Sequence, residues 1–291
     1  MSRIEISSIK EALADGSSER ACRLIVDSLD PEADFAFHHK LVRLFRKIPD
    51  GAIALKPLRL AVLATSTVDQ LCDVLRLYLA REGYALELFT GEYDTMIQTV
   101  LDPASDLYQF KPDVVWLFTN HRDINVDASG DKAPDAIGAS VEGADQLISL
   151  VDVSRKNCVA QVILNSADRP LERLFGNFDG RVPFTRTSII RHFNLALAQN
   201  IPSGAHIFDL EYIANSVGLN AWHDESYWLH SKHAFSPNVT AQVAHAAARM
   251  ITGIKGGAHK CLVLDLDNTL WGGIIGDDGI GGIALGQGDA A

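Results

Sequence analysis

The sequence has no apolar run approaching the roughly 18 residues that a membrane-spanning helix needs, and no apolar leader behind basic residues at its N-terminus. These absences predict a protein that stays in the cytoplasm. Its four cysteines, Cys22, Cys72, Cys158 and Cys261, are scattered, with no C-x-x-C pair and no metal-ligand spacing. That argues against a disulfide framework or a cysteine-based zinc site, and it predicts reduced thiols that behave as small buried hydrophobes. Basic residues are in deficit: 26 Lys and Arg face 37 Asp and Glu, for a formal charge of -11. Without a basic face, sequence-independent nucleic-acid binding and adhesion to anionic membranes are both disfavoured. Repeats and low-complexity stretches are also missing, and a content of 47% hydrophobic and 22% charged residues is that of a folded chain. The 291 residues suffice for about two domains.

What is present is periodicity. Residues 1–57 carry apolar positions at three- and four-residue steps, as in "ERACRLIVDSL" and "FAFHHKLVRLFRKI", and read as a helical lead-in. From residue 58 to 252, five short apolar strands ("LRLAVLA", "YALELF", "PDVVWLF", "VAQVIL", "AHIFDL") alternate with amphipathic helices. Such alternation predicts a three-layer α/β domain around a parallel sheet. Gly83 suits a helix C-cap and Pro112 a strand entry. "GIKGGAH" at 253–259 reads as a linker, and a second unit begins at Lys260.

That second unit opens with "CLVLDLDNTLWGG", an apolar strand ending in D-x-D-x-T. By the two-residue strand period Asp265 and Asp267 point the same way, so both carboxylates meet one ligand. Hard oxygen donors of this kind suit Mg²⁺ and phosphoryl transfer. Thr269 is placed to hydrogen-bond phosphoryl oxygens, and "WGGIIGDDGIGGIAL" reads as a hairpin flap turning at Gly276–Gly279. The stretch resembles motif I of the haloacid dehalogenase (HAD) superfamily and is similar to the FkbH-like proteins. The resemblance implies that Asp265 is nucleophile and Mg²⁺ ligand. Asp267 is implied to be the acid/base, binding the metal through its carbonyl. It further implies a phosphatase turned glyceryl transferase, which dephosphorylates a phosphorylated three-carbon glycerate unit and loads it on an acyl carrier protein in polyketide biosynthesis. The phosphate-binding Ser/Thr, the Lys and the remaining acidic residues of a complete HAD domain are not in the sequence. Residues 260–291 are therefore expected to be the first strand and flap of a truncated Rossmann-like domain, inactive as a phosphatase by itself.

FkbH-like proteins carry a preceding domain that resembles SGNH hydrolases, which fits the flavodoxin-like pattern of 58–252. The resemblance points to Ser66 as nucleophile, Gly91 and Asn120 as oxyanion donors, and His233 as base. Ser66 lacks the G-D-S context, and the position three before His233 holds His230, with Asp224 the nearest acid. From spacing alone, Ser66-Thr67-Val68-Asp69 reads as a capping box, His233 as a structural histidine, Asn120 as a turn residue and Gly91 as a permissive loop residue. Two other segments stand out. Arg169, Arg173, Arg181, Arg186 and Arg191 form either a dock for an acidic carrier protein or its phosphopantetheine arm, or an ordinary, partly ion-paired surface. The His38–His39 pair is expected on the surface. Two rival functions stay open: a carrier-protein or substrate-binding module without chemistry, and an SGNH-type esterase.

Overall fold

The computed structural model describes residues 6–124, 135–257 and 261–285. The chain divides into two compact units, Met1–Ile254 and Lys255–Ala291.

The first unit begins with three helices, α1 (Ile6–Ala14), α2 (Ser18–Asp27) and α3 (Phe35–Phe45). The Asp34 side chain accepts from the Phe37 N–H at 2.7 Å, satisfying one orphan donor at the start of α3. The alternating part then unfolds in order: β1 (Lys56–Ala64), α4 (Asp69–Arg81), β2 (Tyr84–Thr90), α5 (Met96–Leu101), α6 (Asp106–Phe110) and β3 (Val114–Phe118). It continues with α7 (Ala136–Asn157), β4 (Gln161–Asn165), α8 (Arg186–Asn200), β5 (Ala205–Phe208), α9 (Leu210–Val217), α10 (Leu219–Trp222), α11 (Glu225–Ser231) and α12 (Thr240–Thr252). Every strand read from residues 58–252 of the sequence is present. All four pairings are parallel, in the order β2-β1-β3-β4-β5.

Both faces of this sheet are covered, which is why "VVWLF" is apolar at every position and buried at every position. Alternate residues feed two separate cores. Leu60, Val62, Trp116, Phe118 and Ile163 pack with residues of α1–α4, α9 and α12. Ala61, Leu63, Val115, Leu117, Val162 and Leu164 pack with residues of α5, α7 and α8. Ile9, Ile25 and Leu41 belong to the first of these cores, so the helical lead-in closes one face of the sheet. His38 corrects its surface assignment: it is fully buried, with Nδ1 at 3.1 Å from the Asp34 carbonyl and Nε2 at 3.2 Å from the Tyr78 hydroxyl. A helix that packs on two sides hides one of two adjacent residues, and here it hides His38 while His39 stays exposed.

The second unit departs from expectation. Residues 261–266 form no strand, and Leu262 and Val263 are 79% and 88% exposed. A parallel strand exists only by hydrogen-bonding to neighbours, and the described residues of this unit supply none for it. Cys261 is likewise exposed rather than buried, and Cys158 is half-buried; only Cys22 and Cys72 fit the expected pattern. The flap does close on itself, because Gly272 and Ala284 exchange N–H···O bonds of 2.9 and 2.8 Å. Between them lies a single helical turn, α13 (Ile275–Asp278), instead of a tight hairpin turn. Gly282 is required there, since a Cβ would fall 2.4 Å from the Asp278 carbonyl oxygen.

Candidate functional site

A sheet of this order reverses direction between β1 and β3, and ligands of open α/β sheets bind outside the strand C-termini at that point. Thr65-Ser66-Thr67 follow β1, and Thr119-Asn120 follow β3. The chain exits β3 through a buried bracket, in which Trp116 donates its indole N–H to Asn165 Oδ1 at 2.7 Å and Asn165 Nδ2 donates to the Thr119 carbonyl at 2.8 Å. Thr67 is tied to the far end of the chain. Its N–H donates to the Lys232 carbonyl at 2.9 Å and its hydroxyl to the Ser231 carbonyl at 2.5 Å, forming an isolated parallel bridge with His233. The topology thus gathers Ser66, Asn120 and His233 at one edge of the sheet.

Each of these three carries an atom without a partner. Ser66 Oγ, Asn120 Nδ2 and His233 Nε2 are buried and have no hydrogen-bond partner within the protein. Ser66 is 4% and Asn120 0% exposed. The capping-box reading of Ser66 is therefore corrected: α4 starts after Val68, and no side chain caps it. Asn120 does act as a turn residue through its oxygen, which accepts from the Arg122 N–H at 2.9 Å in a capping box with Asp123. Its NH₂ is left over. His233 receives its orientation from Ser231, whose hydroxyl lies 2.8 Å from Nδ1, and burial lowers its pKa against a weaker opposing pull from Asp69. Asp224 caps α11 by accepting from the Ser226 and Tyr227 N–H groups, and it is Ser231, not a carboxylate, that meets His233 Nδ1. Gly91 cannot serve as an oxyanion donor in this geometry: its N–H donates to the Val62 carbonyl at 3.2 Å. Its φ is not positive, and a Cβ there would lie 2.7 Å from Leu63 Cδ2, so any larger residue would have to displace the buried Leu63 side chain.

Sequence reading missed the network that holds Asn120. His121 donates its backbone N–H to Asp168 Oδ1 at 2.9 Å, and its Nδ1 lies 2.9 Å from Oδ2, which also accepts the Trp222 indole at 2.8 Å. Burial opposes the charge on Asp168, but the His121 bonds and the Trp222 bond outweigh it and hold the carboxyl below its ordinary pKa. Arg186 donates to the carbonyls of His121 and Ile124, so this arginine belongs to the loop clamp and not to a surface dock. His121, Asp168 and His223 could offer three metal-ligand atoms within 4.8 Å of one another. Asp168 already accepts the His121 backbone N–H and the Trp222 indole N–H and lies against the His121 ring nitrogen, partners that offset its burial without a cation. These partners lie 47 to 54 residues apart, beyond the reach of any local motif.

Beside the same edge lies a cavity of about 590 Å³, with Thr65, Thr119, Arg122 and Asp123 on one side and Met96, Leu147, Leu150 and Phe193 among its apolar walls. Burial pushes the Asp123 pKa up, although the Thr65 hydroxyl (2.7 Å) and the Asn120 N–H (2.7 Å) both donate to Oδ2.

In the second unit the motif aspartates flank the start of a turn, and Asp267 is half-buried. Asp267 Oδ1 accepts from the Trp271 indole and the Ile275 N–H, each at 3.1 Å, while Asp265 and Thr269 are exposed. The donor chemistry fits Mg²⁺: Asp265 and Asp267 offer hard carboxylate oxygens, although Asp267 Oδ1 is already engaged by two N–H groups.

Among the described residues, no helix is long and apolar enough to cross a membrane. No curated protein matches the chain. Among solved structures, the N-terminal part of the protein BF1531 from Bacteroides fragilis, containing a phosphatase domain and complexed with Mg, is similar, with a TM-score of 0.65 and 24% identity. The match covers 88% of this chain and 66% of that one, so the chain spans under two thirds of that relative. At this identity the likeness shows the fold. The family model described as FkbH, N-terminal domain, matches residues 59–252, which are the α/β domain that carries the Ser66 edge, and the chain accordingly belongs to the FkbH family.

Proposed function

We propose that this chain belongs to an enzyme that removes phosphate from a phosphorylated three-carbon glycerate unit and loads the glyceryl group on an acyl carrier protein in polyketide-type biosynthesis. The observation that carries this reading is the pairing of an FkbH N-terminal domain over 59–252 with D-x-D-x-T at Asp265–Thr269. In this reading Asp265 attacks phosphorus, and Asp267 protonates the leaving oxygen and then takes a proton from the attacking water. Thr269 hydrogen-bonds the phosphoryl oxygens. Asp265 and the Asp267 carbonyl would hold Mg²⁺, whose positive charge would offset carboxylate and phosphate repulsion. The test is Mg²⁺-dependent release of phosphate from a phosphoglycerate by the natural full-length protein. Asp265→Asn is expected to lower turnover by at least about 10³-fold. Undiminished turnover in that variant rejects the assignment.

A second reading is favoured by the three unbonded atoms at the Ser66 edge. Buried polar groups without partners are costly, and they persist where a ligand or reaction uses them. Here Ser66 would take an acyl group, with His233 as a neutral base and the Asn120 NH₂ holding the oxyanion. A fluorophosphonate should label the protein at one equivalent and fail on Ser66→Ala. Absence of labelling in the unmodified protein ends this reading.

A further inference from the structure

The loop between β4 and α8 is built as a rigid platform. Asp179, 3% exposed, accepts the Phe175 N–H at 2.8 Å through Oδ1 and the Thr187 hydroxyl at 2.9 Å through Oδ2, while its carbonyl accepts the Thr185 hydroxyl at 2.7 Å. The backbone is thereby stapled to the start of α8. On this stapled loop the large side chains nevertheless point into water: Leu174 is 76%, Phe175 44%, Phe178 62% and Phe184 37% exposed. Phe175 and Phe184 meet edge to face, 6.0 Å between ring centroids, which makes part of the group a contiguous apolar patch. Local flexibility does not explain such exposure, because the buried carboxylate fixes the loop; clustered apolar side chains on a fixed surface mark an interaction site.

The patch also carries charge of the minority sign. Arg181, between Phe178 and Phe184 in the chain, is exposed. The Arg191 guanidinium lies against Gly180, where a Cβ would meet Nη1 at 2.7 Å. On a chain of net charge -11, aromatic side chains flanked by arginines are the composition of an interface core with an acid-seeking rim. The loop hangs from the C-terminal end of β4, at the same sheet edge as Ser66 and Asn120.

We propose that this loop is the docking surface for a separate acidic protein that presents carboxylates around an apolar helix face. The partner's identity rests on the reading above, in which it is the acyl carrier protein; the surface and its chemistry do not. Docking there would deliver a carried group to the strand C-termini.

The test measures binding of the 291-residue chain to two probes by fluorescence anisotropy: a holo acyl carrier protein, and a synthetic amphipathic helix with a glutamate rim. Arg181→Glu and Phe178→Ser alter exposed side chains and should leave the fold intact. Each is expected to weaken binding at least about tenfold, whereas Lys10→Glu, exposed on α1, changes it less than about twofold. Carrier binding that ignores both loop substitutions overturns the surface and leaves the carrier reading standing. Peptide binding at the loop without carrier binding supports the surface and rejects the carrier. Equal losses in all three variants, or no binding of either probe, overturn the proposal.

Discussion

The edge at Ser66 and the turn at Asp265 are opposites in how motif and structure relate. The aspartate turn has the more specific sequence signature, yet Asp265 and Thr269 are exposed and its apolar flank, from Leu262 to Leu266, lies unpaired. The serine edge has a signature with gaps, yet its residues are buried, clamped and left with unbonded polar atoms. A motif records which side chains a reaction needs. Only packing around it supplies the fixed geometry that catalysis uses.

The largest expected effect tests that contrast directly. Trp116 is 1% exposed, hydrogen-bonded to Asn165, and in edge contact with Phe118 and Phe208. Trp116→Ala should cost about 3–5 kcal/mol in urea unfolding. Leu264→Ala, at a position 44% exposed, should stay within about 0.5 kcal/mol. Similar losses at both sites would show that the second unit is packed as firmly as the first.

A smaller effect should appear with pH and only in the first unit. Burial lowers the His38 pKa, outweighing the Asp34 carbonyl bond and the charges of Asp30 and Asp34. A base with a depressed folded pKa contributes stability that is fully present above its unfolded value, about 6.5, and is lost as pH falls from there toward the folded value. The urea midpoint should therefore decline between pH 7 and pH 5. His38→Gln should flatten that decline, and an unchanged slope would remove His38 as its source.

The smallest effect sharpens the view of the serine edge. An unbonded buried hydroxyl costs about 1–3 kcal/mol, so Ser66→Ala should raise stability by about 1 kcal/mol while abolishing any covalent labelling. Destabilisation by a similar amount would mean that the hydroxyl has a partner.

Much of the fold was legible because a parallel sheet covered on both faces demands uninterrupted apolar runs, and "LRLAVLA", "PDVVWLF" and "VAQVIL" satisfy that demand locally. The "CLVLDL" strand was misjudged for the converse reason, since the same apolar run makes a strand only beside a neighbour. Ser66, Asn120 and His233 were legible as candidates by their order along the chain. What failed was the local explanation of Ser66, because a capping box can be written in sequence without any hydrogen bond forming, whereas Asn120 does cap a turn.

The amino-acid sequence by itself determined the layer architecture, the strand positions within residues 58–252, the D-x-D-x-T pairing of Asp265 and Asp267 and the net negative charge, all of which follow from local period, residue type and charge. Tertiary structure alone decided that His38 is buried, that Asp168 and Trp222 hold the loop carrying Asn120, and that Gly91 has no N–H to offer. It also decided that the phenylalanines of the β4–α8 loop face water. The burial of His38, the hold on the Asn120 loop and the engagement of the Gly91 N–H depend on contacts between segments tens of residues apart, where the free energy of burial and of satisfying polar groups is settled by what the fold brings next to them.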